Sequence, residues 1–358
     1  MARPPAEILY AEELARLAAE DAGAARPPGF ALSPRAVRRF VLGDAQANIS
    51  RKFYGDDALV ERAIVTLASN RGLMLVGEPG TAKSLLSELL AAAVSGSSLL
   101  TIQGTAGTTE DQIKYSFNYA RLLAEGPSRE ALVPAPLYRG LERGAIVRFE
   151  EITRCQPEIQ DVMISVLSDR VMLVPELEGD AGVLFARRGF NVIATANTRD
   201  RGVHEMSSAL KRRFNFETVR PLADASLETD LVLAQARALL AEAGAEVEVE
   251  RDVISLLVTT FHDLRHGRAE DGTVVEKPST VVSTAEAVAA CYSAALDAAY
   301  LGGGALEPRH LARQLSGTVF KDDEDDARRL RHYFDVVVKE RARDDERWQQ
   351  FYDARREL

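Results

Sequence analysis

The stretch LMLVGEPGTAKS, residues 73–84, constrains this chain more than any other. An apolar run from Leu73 to Val76 breaks at Gly77, Gly80 follows, and Lys83-Ser84 opens the helical pattern SLLSELLAAAVS. Strand, glycine loop and helix in that order make a phosphate-binding loop. Glycines let backbone N–H groups curl around an anion, and the helix N-terminus adds its positive end. A lysine there reaches the terminal phosphates, and the hydroxyl beside it ligates Mg²⁺. Gly77, Glu78, Pro79, Gly80, Thr81, Ala82, Lys83 and Ser84 are therefore the candidate cradle, with Ser84 also on the metal. One position departs from the usual pattern: Ala82 stands where glycine precedes the lysine. It is read as the start of the helix, where a methyl group is tolerated.

Composition narrows the setting. At 358 residues the expectation is two domains plus terminal segments. A net charge of −10 speaks against a protein whose main task is gripping a phosphate backbone. No apolar run approaches the ~20 residues that span a bilayer, and the N-terminus carries acids where a signal peptide would be apolar, so the cytoplasm is the expected location. Cys155 and Cys291 lack a CxxC spacing and are read as reduced and structural.

Taken in order, residues 4–22 are expected to be helical, and a second helix begins with Ser33 as N-cap and Pro34 at its first position. From about residue 56 helices alternate with strands: 73–76, 99–102, AIVRF at 145–149, and FNVIATANT. Tyr115, Phe117 and Tyr119 alternate in a way that places three aromatics on one face of a short strand. Two runs, 171–174 and 183–185, flank a glycine turn as a hairpin. After Pro221 the pattern turns all-α, with helices at about 225–243, 251–265, 284–301 and 307–316. A charged helix from about 324 carries the stripe Leu330, Tyr333, Phe334, Val337, Val338. That stripe needs a partner surface, in this subunit or another. His262 and His266 resemble a zinc-protease pair by spacing, but the general-base glutamate and a third ligand are missing, and that reading is rejected.

A second constellation follows the strand 145–149: Glu150 and Glu151. One carboxylate at a strand's C-terminal end serves the metal, and its neighbour orients or deprotonates water. Glu150 is longer by one methylene than the aspartate usual there. Asn197, ending the next long apolar strand, is placed to hydrogen-bond a γ-phosphate or the attacking water. In MSSALKRRF an arginine is placed either on a wetted surface or against a neighbouring subunit's nucleotide.

Taken together GEPGTAKS, FEEITR, ATANT and ALKRRF resemble the AAA+ ATPases, specifically the MoxR family, over about residues 50–317. IQGT after the second strand and EITRCQPEIQ add to that likeness. The resemblance implies a fold: a P-loop NTPase parallel sheet flanked by helices, followed by an all-α lid. The domains would be an N-terminal extension (1–49), the ATPase core (50–222), the lid (223–317) and a charged C-terminal helix (318–358). It implies ATP and Mg²⁺, with Ser84 and Glu150 on the metal. Glu151 would activate water, Asn197 would sense the γ-phosphate, and Arg213 would be the finger acting in trans, with Arg212 the fallback. It also implies a homo-oligomeric ring, usually a hexamer, and chaperone-like remodelling with a von Willebrand A-type partner; the client is not named. The chain departs from the family in the lid, where Ser283-Thr284-Ala285-Glu286 lacks the second sensing arginine, and Arg265 is the candidate substitute. Ser283 and Glu286 still form a capping box. Two other readings stand beside the motor: a nucleotide-gated binding module with little hydrolysis, and a DNA-remodelling ATPase, which the negative charge opposes.

Overall fold

The computed structural model describes residues 3–197, 204–279, 282–317 and 323–358. It divides into two compact units, Met1–Glu78 with Ala82–Arg220, and Pro221–Leu358 with Pro79–Thr81. Among the described residues the strands are β1 (Gly72–Gly77), β2 (Thr101–Gln103), β3 (Tyr115–Phe117), β4 (Leu132–Pro134), β5 (Ile146–Glu150), β6 (Val171–Leu173), β7 (Val183–Phe185), β8 (Asn191–Asn197) and β9 (Phe214–Val219).

Five strands form one sheet in the order β2-β5-β8-β1-β9, every neighbouring pair parallel. Parallel strands covered on both faces read as unbroken apolar runs, which is why β1 and β8 were legible. Side chains alternate across the sheet. Leu73 and Leu75 enter a core with Val37, Phe40, Ile64 and Leu90, whereas Met74 enters the opposite core with Leu141, Val147, Phe149 and Met163. The parallel sheet flanked by helices and the helical second unit are the expected fold class.

The edge strand β9 has no counterpart in the sequence reading. Asn215, Glu217 and Thr218 interrupt its apolar pattern, and the glutamate is neutralised by Arg62 through two bonds of 2.8 Å. A second correction concerns the aromatics. The strand β3 ends at Phe117, Asn118 caps a new helix by accepting from Arg121 N–H, and Tyr119 lies on that helix, 73% exposed. The three rings do not share one strand face. β3 pairs with β4, and β6 with β7, each antiparallel.

The N-terminal segment forms two helices, Ala6–Leu9 and Ala11–Glu20. The helix Pro34–Leu42 is capped by Ser33, whose oxygen accepts from Ala36 N–H. Two of its arginines form surface ion pairs, Arg38 with Glu61 and Arg39 with Glu20 and Asp44.

In the second unit the helices Ala225–Ala243, Arg251–His266, Thr284–Tyr300 and Pro308–Leu315 enclose a core that includes Val232, Ile254, Phe261 and Cys291. Burial pushes the Cys291 thiol up to about 12, as suits a core thiol. The C-terminal segment is not one helix. Glu324–Tyr333 widens into a π-helical turn at Phe334–Val338, and the chain starts again at Glu346, where Asp345 caps by accepting from Arg347 and Trp348 N–H. Leu330, Tyr333, Phe334, Val337 and Val338 are buried in the core of this same unit, which answers where their partner surface lies. No helix among the described residues is long and apolar enough to cross a membrane.

Candidate active site

Three strand ends meet at one edge of the sheet. Gly77 and Asn197 are Cα partners across β1 and β8, and Glu150 ends β5, paired with Gln103. Glu150 is 4% exposed, and four donors hold its carboxylate. Ser84 Oγ and Thr195 Oγ1 each donate to Oε2 at 2.8 Å. Ser87 Oγ donates to Oε1 at 2.5 Å, and Arg148 Nη2 donates to Oε1 at 2.8 Å. A buried carboxylate without such donors would be costly, so this network is what makes the position tolerable.

Glu151, the next residue, has φ +57°. A side chain in the left-handed region is strained, and such residues cluster where function fixes them. The Glu151 N–H donates to Thr195 Oγ1 at 2.9 Å, and Asn197 Nδ2 donates to the Glu151 Oε1 at 2.8 Å. Arg154 Nε lies 2.6 Å from Oε2, an ion pair without the alignment of a hydrogen bond. Thr198, which closes the ATANT motif, lies outside the described residues.

The glycine loop corrects one expectation. Ala82 is not the first helical residue; it precedes the helix Lys83–Ser95 with φ +64° and ψ 25°. The preference for glycine there is conformational, and alanine at that backbone costs about 1 kcal/mol. Gly80 is also left-handed, at φ +75°. Lys83, 7% exposed, donates to the carbonyls of Gly77 (3.1 Å) and Glu78 (2.7 Å), so its ammonium is folded into the loop. Two hard oxygens, Ser84 Oγ and Glu150 Oε2, stand 2.8 Å apart, a donor set that fits Mg²⁺.

The two candidate fingers differ. Arg213 is anchored, Nε to Ser168 Oγ at 2.9 Å and Nη1 to the Ala209 carbonyl at 2.8 Å, while Arg212 is exposed. In the second unit Ser283 and Glu286 form the capping box. Arg265, the candidate substitute for the missing cation, directs all five of its donors to Glu228, Val282 O and Leu222 O. His262 likewise faces Glu228, Nε2 at 2.6 Å.

Comparison with known proteins follows the same lines. Residues 72–214 match the AAA domain of the dynein-related subfamily, and residues 226–358 match the YehL-like AAA+ ATPase C-terminal domain. The uncharacterized protein YehL of Escherichia coli (strain K12) is 55% identical over 356 residues, covering 99% of this chain and 97% of that protein. The chain belongs to the YehL family of AAA+ ATPases. YojN of Bacillus subtilis (strain 168) is 28% identical over 168 residues, 44% of this chain and 51% of YojN. Among solved structures, NtrX from Brucella abortus in complex with ADP superposes with a TM-score of 0.51 at 14% identity, covering 85% of this chain and 64% of NtrX. That likeness shows the shared fold.

Sequence reasoning did not single out Arg148, Ser87 or Thr195. The signal was present. Arg148 and Thr195 each lie two residues before a candidate, Glu150 and Asn197, hence on the same strand face, and Ser87 follows Ser84 by one helical turn.

Proposed function

We propose that this YehL-family chain is a MoxR-type ATPase that hydrolyses ATP with Mg²⁺ in a ring, a hexamer by resemblance, to remodel a partner protein or complex. The observation that carries the reading is the pairing of two carboxylates with separate tasks at one sheet edge. Glu150 lies beside Ser84, and Glu151 is turned out by its left-handed backbone toward Asn197. Ser84 and Glu150 would hold Mg²⁺, which would supply charge neutralisation at the phosphates. Lys83 binds the terminal phosphates, Glu151 accepts the proton of the attacking water, and Asn197 orients it. Arg213 of a neighbouring subunit stabilises the transition state, with Arg212 as the alternative. The von Willebrand A-type partner and the cytoplasmic location belong to this reading as well. NtrX, bound to ADP in its own structure, supports nucleotide in this fold.

The test is turnover of the wild type against Glu151→Gln. A general base contributes ~10²–10⁴-fold, so the variant is expected to lose at least about a hundredfold in kcat while still binding ATP. Equal rates would end the assignment. The second reading, a nucleotide-gated binding module, is favoured by Arg154 standing 2.6 Å from Glu151. Tight ATP binding by a wild type that turns over no faster than its variant would support it.

A further inference from the structure

We infer that Arg148 is a positioning residue for the metal, one that fits a glutamate to a place where the shorter aspartate is usual. The inference rests on the Mg²⁺-ATP reading above. Glu150 carries an extra methylene and one more rotatable bond, so an unsupported carboxylate at the end of β5 would sample several positions. Arg148 lies two residues earlier on the same strand face, and its guanidinium spans the gap to the helix that follows the glycine loop. Nη2 donates to Glu150 Oε1 at 2.8 Å and to the Ser84 carbonyl at 3.1 Å, and Nε donates to Ser87 Oγ at 2.9 Å. Nη1 reaches the Ser98 carbonyl at 3.3 Å and Thr101 Oγ1 at 3.5 Å. The side chains of Arg148 and Glu150 are 11% and 6% exposed, so this is an interior pair rather than a screened surface one.

The arrangement divides the carboxylate in two. Oε1 is committed to protein donors, Arg148 and Ser87. Oε2 accepts from Thr195 Oγ1 at 2.8 Å and faces the hydroxyl of Ser84, the other metal-side oxygen, also at 2.8 Å. Because Nη2 also holds the carbonyl of Ser84, one guanidinium fixes the carboxylate and the backbone of the hydroxyl residue relative to each other. A planar fork with several donors can do this where a lysine ammonium, a single point, cannot. Partners that orient a metal ligand are worth about 10–100-fold in metal affinity. The opposing effect is that Arg148 brings a positive charge near a cation site. If that effect dominated, removing Arg148 would tighten Mg²⁺ instead.

The experiment titrates Mg²⁺ into full-length protein with a fluorescent ADP analogue, reading nucleotide binding rather than turnover, with an EDTA arm. Arg148→Met should bind metal-free nucleotide within about twofold of wild type, while its half-saturating Mg²⁺ rises about tenfold or more. Arg148→Lys should recover only part of the shift. An unchanged or lowered Mg²⁺ midpoint in Arg148→Met would overturn the inference. So would a parallel loss of metal-free binding, which is what a merely structural role predicts, and if Arg148→Met does not fold, a wild-type midpoint in Arg148→Lys overturns it alone. A wild type that binds nucleotide equally with Mg²⁺ and with EDTA would instead remove the metal reading, and this inference with it.

Discussion

The buried cluster around Glu228 gives the second unit a pH dependence that can be worked out in advance. Glu228 is fully buried in the first turn of the helix Ala225–Ala243 and receives Thr284 Oγ1 and His262 Nε2 at 2.6 Å and two Arg265 donors at 3.1 Å. Burial alone would raise its pKa; the bonds from His262 and Arg265 outweigh burial and hold it down at about 2, against an ordinary 4.5. A depressed carboxylate contributes stability that is present above 4.5 and is lost as pH falls toward 2. The difference corresponds to roughly 3 kcal/mol at neutral pH. Glu228→Gln forfeits that contribution and leaves Arg265 without its carboxylate, so the expected loss at pH 7 is about 3–5 kcal/mol. The single tryptophan, Trp348, reports on this unit: it packs against Phe351 at 5.9 Å, with Arg341 4.8 Å from its ring. Urea unfolding followed by tryptophan fluorescence therefore measures the right transition. The gap between wild type and variant should shrink by about 1 kcal/mol between pH 7 and pH 3.5, because only the wild type loses the contribution. A gap below about 1 kcal/mol at pH 7, or one that does not narrow on acidification, would refute the reasoning.

Two further predictions concern the first unit. Ala82→Gly should stabilise it by about 1 kcal/mol, because the backbone at φ +64° carries a penalty that glycine does not; calorimetry should show its transition move up by a few degrees, and a fall would contradict the strain argument. For the finger, Arg213→Ala is expected to abolish turnover in a homogeneous ring. Mixing it with Lys83→Ala subunits should restore part of the rate, and no recovery in rings shown to be mixed, or loss with Arg212→Ala instead, would reassign the role.

What the sequence discloses depends on whether a residue's task is local or belongs to the register of distant strands. The glycine loop, the strand-ending acids and the Ser283 cap announce themselves because their signals are contiguous: an apolar run, a turn residue, a charge or a hydroxyl. Phe214–Val219 does not, because an edge strand tolerates polar residues on one side and Glu217 is neutralised by Arg62, far away in the chain. Ala82 shows a second limit. A small side chain next to a helix reads as helical, yet the loop requires a left-handed residue there, and only backbone geometry tells the two apart.

The same distinction bears on how a glutamate works at position 150. Read alone, its added length puts the metal geometry in doubt. Set among its neighbours, the length is absorbed: three hydroxyls, from the helix after the loop and from β8, together with the Arg148 guanidinium, occupy both oxygens of the carboxylate. A lone aspartate needs fewer supports because it has fewer positions to exclude. Exchanging Glu150 for aspartate would therefore not restore a better site in this chain; it would withdraw the carboxylate from Ser87 and Arg148 and leave a largely buried guanidinium without its counter-charge, which costs more than the shorter side chain gains. The substitution and its surroundings make one unit, and the acid cannot be judged apart from the arginine that holds it.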